Sequence, residues 1–249
     1  MSHRAPPGQA ALNRIDLPGT AEDSWDGWSG LRRLPAADPA WPSAVIVAAH
    51  PDDEVLGAGG TMAILAARGA RLRLLAVTDG AASHPGADPH ATARTRIAES
   101  AEALRRLGLR DIEVIRLHLP DAGLAACEDE LSDRLGELCA GFGMCLAPWE
   151  ADAHADHEAA GRAARRAARR NGQQIASFPI WMWHWAKPRD RRVPWQRAWR
   201  IPLSPDIAAR KRAAITAFTS QLTDRENAEP VLPPGIVAHF TRDQEVLFP

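Results

Sequence analysis

Ala44-Val45-Ile46-Val47-Ala48-Ala49 runs without a break into His50-Pro51-Asp52-Asp53-Glu54, with Gly57, Gly59 and Gly60 close behind. A short, continuous apolar run of this kind suits a parallel strand buried on both faces. Open α/β sheets bind ligands at the carboxyl ends of their strands. An acidic, histidine-bearing loop at this point therefore stands where a site is built. His50 and Asp53 can offer an imidazole and a carboxylate to a divalent metal, which leaves Asp52 free to act on water. The glycines do not form a G-x-G-x-x-G loop, so a dinucleotide is not indicated. Taken alone, the segment reads either as such a site or as a solvated acidic turn.

Strands and helices alternate from here on. A helix is predicted over residues 57–68, a strand over 72–78, and a helix over 92–107 stopped by Gly108. A strand over 112–117, a helix over 128–139, a strand over 144–147 and a helix over 157–170 follow. This alternation predicts an α/β fold, a three-layer sandwich whose open, mainly parallel sheet is covered on both faces. Beyond residue 173 the pattern changes. Residues 175–185 and 198–203 are predicted as a pair of strands, 206–219 as a last helix, and the rest as a tail. Residues 1–43 are polar and rich in Pro and Gly. They read as an N-terminal arm, with Trp25, Trp28 and Trp41 anchoring it on the surface of a single domain, 44–249.

Composition narrows the function. A chain of 249 residues suits one large domain. A net charge of -1 gives no reason to expect a nucleic-acid or polyanion partner. No run approaches the ~20 apolar residues of a membrane span, and the first residues lack the apolar core of a secretory signal. Cys127, Cys139 and Cys145 form no CxxC pair, so reduced thiols and a cytoplasmic location are expected. There is no tyrosine, so any phenolic role falls to another group.

A second strand end carries a matching cluster, Pro148-Trp149-Glu150-Ala151-Asp152-Ala153-His154-Ala155-Asp156-His157. His154 and His157, three apart, can share one side of a helical turn. A ligand from here would complete a His/Asp/His set with open positions, the pattern of catalytic rather than structural zinc. The same donors suit Fe(II). One rival reading is a metal-dependent phosphoesterase, although two-metal phosphoesterases usually need more bridging ligands. Another is a non-catalytic ligand-binding member of the fold, which would be expected to lack Asp52 or a ligand.

The blocks Ala49-His-Pro-Asp-Asp-Glu54, Thr78-Asp79-Gly80, Arg96-x-x-Glu99 leading to Leu107-Gly108, and His154-x-Asp156-His157 resemble the PIG-L/LmbE-like zinc-dependent N-deacetylases. Lys211 and Ser220-Gln221 resemble a later K…SQ motif of that family. Phe218 stands where the family often has histidine. The resemblance implies a Rossmann-like fold with Zn2+ held by His50, Asp53 and His157. It implies Asp52 as general base and His154 as a second catalytic group that polarises the carbonyl or oxyanion. It also makes Arg96 and Asp121 candidate substrate contacts. Read from the residues alone, Arg96 equally suits a helix-surface pair with Glu99, and Asp121 a turn after Pro120. The implied substrate is a small N-acetylated glycoside or glycoconjugate, cleaved to acetate and a primary amine. Its aglycone is unspecified, and a homo-oligomer is left open. Trp181, Trp183 and Trp185 alternate as on one face of a packed strand, with sugar stacking as the other reading.

Overall fold

The computed structural model describes residue 15 and residues 17–224 and 229–249. Two short helices, α1 (Glu22–Asp26) and α2 (Gly30–Arg33), precede strand β1 (Ser43–Ala48). There follow α3 (Asp53–Ala67), β2 (Arg71–Ala76), α4 (Pro89–Leu107), β3 (Glu113–Arg116) and a 3-10 turn (Leu124–Cys127). Then come α5 (Glu128–Leu138), β4 (Met144–Pro148), α6 (Ala155–Asn171) and β5 (Gln174–Phe178). The five strands form a parallel sheet in the order β3-β2-β1-β4-β5. From β1 the chain first moves to β2 on one side, and later returns to place β4 on the other. The crevice at this reversal opens at the carboxyl ends of β1 and β4, where α/β sheets bind ligands.

The apolar run of β1 divides by alternate residues between two cores. Ala44, Ile46 and Ala48 face a core shared with Leu56, Met62, Leu107 and Ile215. Val45, Val47 and Ala49 face another, shared with Leu131, Leu135, Ala160 and Ala164. A strand apolar on both faces is thus explained by helices on both faces. The alanine and arginine pattern of α6 has a similar cause. Ala159, Ala160, Ala163, Ala164 and Ala167 are fully buried, while Arg162, Arg166 and Arg170 pair with Glu128, Asp129 and Asp133 of α5. At Gly161 an added Cβ would lie 2.4 Å from the Pro148 carbonyl oxygen, so α6 sits tightly on the end of β4.

Three expectations need correction. The helix after β1 begins at Asp53, not near Gly57. Gly57 lies inside it, where a Cβ would meet the Phe178 ring at 2.1 Å, so close packing calls for glycine. Residues 175–185 are not one strand. β5 ends at Phe178 before Pro179, and a helical turn, α7 (Met182–Trp185), follows. The three tryptophans therefore share no strand face. Finally, β6 (Trp199–Pro202) pairs not with this segment but antiparallel with β7 (Gln244–Leu247), in what read as a tail. Phe248 then bridges to Ser177 of β5. Between β6 and β7 lie α8 (Pro205–Ile215), α9 (Thr219–Leu222) and α10 (Pro234–Ala238).

Trp25 of α1 is fully buried and donates its indole N–H to the Trp183 carbonyl at 3.0 Å. It belongs to the core rather than resting on its surface. No helix among the described residues is long and apolar enough to cross a membrane.

Lys211 lies away from the crevice. It is buried in α8 and donates to the Leu56 carbonyl at 2.8 Å and to Glu245 Oε1 at 2.6 Å. Burial pulls its pKa down, against the opposing pull of Glu245. Glu245 also accepts from the Gly60 and Thr61 amides and the Thr61 hydroxyl. One carboxylate thus joins α3, α8 and β7. Glu245→Ala should lower stability by about 3–5 kcal/mol, because the Lys211 ammonium stays buried without its partner. Urea unfolding checks this, and a midpoint equal to the parent's would refute the structural role.

Candidate active and metal site

The loop from His50 to Glu54 turns sharply. Asp52, at the N-cap of α3, has φ 136, where non-glycine residues are rarely found. Such strain costs about 1–3 kcal/mol and persists only where the surroundings hold it. Here the His50 amide donates to Asp53 Oδ2 at 2.9 Å, and the Asp52 amide to Glu54 Oε2 at 3.1 Å. Ser100 of α4 donates to Glu54 Oε1 at 2.8 Å. Burial pushes the Glu54 carboxyl upward against that hydrogen bond. Ala153, just before α6, also has positive φ, at 67. Both strained residues stand at the ends of neighbouring strands.

Three donors from these two loops converge. His50 Nδ1 lies 3.2 Å from His157 Nε2. Asp53 Oδ1 is 3.2 Å from His157 Nε2, and Asp53 Oδ2 is 3.7 Å from His50 Nδ1. Ligands about 2.0–2.1 Å from a tetrahedral ion stand roughly 3.3 Å apart, so this set fits a divalent cation. The outer nitrogens support the same fit. His157 Nδ1 meets Asp152 Oδ2 at 2.8 Å, and His50 Nε2 lies 3.2 Å from both Asp156 Oδ2 and Asp121 Oδ1. A metal-binding histidine is commonly oriented in this way, its second N–H given to a carboxylate. Burial alone would depress both imidazoles, yet the carboxylates raise His157 to about 9 and His50 well above its usual range. The field that favours an imidazolium here also favours a cation. Two further groupings among the described residues share His50, one with His154 and His157 and one with Asp121 and Asp156, each with one ligand atom per residue within 4.8 Å of the others.

Asp52 lies beside this set without joining it. Its Oδ2 accepts from Arg96 Nη2 at 3.1 Å. Burial, opposed by Arg96 and reinforced by Asp53, raises its pKa to about 7. His154 is the N-cap of α6, its ring 4.5 Å from that of His157 and nearly parallel to it. Burial, with His157 and His50 adding to it, pulls its pKa down to about 3. His154 Nδ1 has no partner among the described residues.

Arg96 is not on the helix surface with Glu99. It is buried, and donates to the Pro51 and Gly80 carbonyls as well as to Asp52. Gly80 needs its positive φ and lack of a side chain, since a Cβ there would lie 2.3 Å from the guanidinium. Glu99 instead accepts from Thr219, Ser220 Oγ and the Ser220 amide. Asp79 pairs with Arg116 and His118. Asp121 accepts from the Ala82 amide at 2.7 Å, and despite burial its bonds to His50 and Ala82 bring its pKa to about 2.

All seven residues singled out from the sequence line one cavity of about 190 Å3, together with Trp181, Gln221 and Leu232. Among the described residues, three buried polar atoms without a partner belong to its lining: Arg96 Nε, His154 Nδ1 and Gln221 Oε1. Asp152, Asp156 and Glu54 were not singled out. Their only signal was a carboxylate beside each histidine block.

The PIG-L family, GlcNAc-PI de-N-acetylase, matches residues 45–168. A 1D-myo-inositol 2-acetamido-2-deoxy-alpha-D-glucopyranoside deacetylase of Segniliparus rotundus is 46% identical over 76 residues, 27% of this chain and 24% of that protein. The chain thus aligns with about a quarter of that relative's length. The crystal structure of the conserved protein TT1542 from Thermus thermophilus is 31% identical over 79% of this chain and 84% of that one, with a TM-score of 0.57. The fold is also that of N,N'-diacetylchitobiose deacetylase from Pyrococcus horikoshii, at 20% identity, 84% and 82% coverage, and a TM-score of 0.58.

His157→Ala should lose most of its bound divalent metal while keeping the parent's far-UV spectrum, because it removes one of three converging donors. Asp156→Asn should weaken metal affinity by about 10–100-fold through His50. Chelator competition followed by elemental analysis measures both. Full occupancy in His157→Ala would take that residue out of the ligand set.

Proposed function

Because the chain belongs to the PIG-L family, we propose that it is a zinc-dependent N-deacetylase. Its substrate would be a small molecule carrying an N-acetylated amino sugar, cut to acetate and a primary amine. The observation that carries this reading is the convergence of His50, Asp53 and His157 beside a separate buried carboxylate, Asp52. His50, Asp53 and His157 would hold the metal, and two imidazoles with one carboxylate suit zinc. Bound there, the cation would supply Lewis acidity, polarising the amide oxygen and lowering the pKa of a water toward about 7.

The chain's own groups account for the proton movements. Asp52, with its pKa near 7, is matched to taking a proton from the attacking water at neutral pH. Arg96 aims that carboxylate through its hydrogen bond to Oδ2. His154, neutral at rest, can donate one N–H to the amide oxygen as charge builds on it. The proton gathered by Asp52 is then available to the departing amine. Arg96 and Asp121 border the same cavity and offer polar contacts to the sugar. A volume of about 190 Å3 is small beside the ~300–1,000 Å3 of drug-sized pockets, which suits one sugar unit inside and the aglycone outside. Free thiols at Cys127, Cys139 and Cys145 suit a reducing compartment such as the cytoplasm.

Asp52→Asn should keep its metal and lose kcat by roughly 10²-fold or more. Wild-type kcat in that variant would remove Asp52 as base. On substrate class, a panel of N-acetylglucosaminides with varied aglycones should release acetate and primary amine in equal amounts. Cleavage of phosphate esters with every acetamide intact would sink the deacetylase reading in favour of a phosphoesterase.

A further inference from the structure

The segment after β5 holds three tryptophans, and packing accounts for two. Trp183 is buried, edge-on to Trp25 at 5.1 Å and beneath the Arg242 guanidinium at 4.1 Å. Trp185 lies nearly parallel to Trp149 at 6.3 Å and donates its indole N–H to the Asp152 carbonyl at 3.0 Å. Trp181 differs. Partly exposed like Trp185, and edge-on to the His184 ring at 6.0 Å, it also lines the cavity that holds His50 and His157, which the other two do not.

The main chain at Trp181 is fixed relative to His157. Asp152 is fully buried, and its carboxylate accepts the amides of Ile180, Trp181 and Met182 at 3.0, 2.9 and 2.9 Å. Oδ2, which receives the Trp181 amide, is also the atom that meets His157 Nδ1 at 2.8 Å. One carboxylate oxygen therefore sets the aromatic wall and the histidine in a common register.

We propose that Trp181 is a specificity-determining residue, a stacking platform for the pyranose ring of the acetamido sugar, held in register with the hydrolytic centre by Asp152. The proposal rests on the deacetylase reading above. The negative π-face of an indole suits the C–H face of a pyranose, and its N–H offers a sugar hydroxyl a donor. Such stacking is the same in the ground state and the transition state, so it appears in KM rather than kcat.

The test compares the metal-loaded parent with Trp181→Ala and Trp181→Phe on two substrates, methyl N-acetylglucosaminide and an acyclic N-acetylamino alcohol. The preference for the pyranoside, as a ratio of kcat/KM values, should fall about tenfold in Trp181→Ala through a rise in KM. Trp181→Phe should restore most of it, with metal content constant across the three. Calorimetric binding of methyl N-acetylglucosaminide is measured alongside, and its Kd should rise by a similar factor. An unchanged Kd and preference ratio in Trp181→Ala, with kcat lowered equally on both substrates, would reduce Trp181 to a packing residue. If the pyranoside binds, weakens in Trp181→Ala and is never deacetylated, the platform stands and the deacetylase reading fails.

Discussion

A carboxylate taken out of water must be met by a cation or by hydrogen-bond donors. That constraint organises the carboxyl end of this sheet. Asp52, Asp53, Glu54, Asp152 and Asp156 are all buried there, and each is answered by a different part of the chain. Asp53 holds the His50 amide and meets His157. Glu54 is met by Ser100 of α4. Asp152 gathers three successive amides after β5. Asp156 accepts from the amides of Ala122 and Leu124, beyond β3. The loops after β3 and β5, and helix α4, are thereby tied to the two short acidic segments that follow β1 and β4, and the cavity walls follow.

Asp52 is the least compensated of the five. Among the described residues its side chain meets only Arg96, on a backbone held at an unfavourable φ. Strain and a raised carboxyl pKa thus fall on one residue, beside a set of donors suited to a cation. Strained backbone at a ligand clamp is often part of the working of a site. Here the strain places the carboxylate next to the convergent histidines while Asp53, its neighbour in sequence, turns toward them. A relaxed helix start would not direct successive side chains to such different tasks.

Some residues were read correctly in type and wrongly in setting. Gly57 was placed at the start of a helix and lies a turn inside α3, packed against Phe178. Arg96 looked ready to pair with Glu99 one turn on, yet each reaches a different distant segment, Arg96 the 50–54 loop and Glu99 the start of α9. Local spacing is a weak guide when a buried partner elsewhere gives the larger return. Trp181, Trp183 and Trp185 alternated as in a strand, but Asp152 collects the amides of 180–182 and a helical turn forms instead.

From the sequence alone, the alternation of buried strands and helices determined the α/β class and the parallel sheet. The two histidine–carboxylate blocks following β1 and β4 marked where a site would lie. Both are legible because apolar periodicity and strand-end position are local properties of the chain. Tertiary structure alone decided which nitrogen of each histidine faces inward, because that depends on Asp152, Asp156 and Asp121 meeting the other one. It also decided that β6 pairs with β7 across some forty residues, that Lys211 serves the packing of α3 rather than the cavity, and that Trp181 reaches the cavity. Each of these is set by a partner far away in sequence, brought near only when the sheet closes around its core.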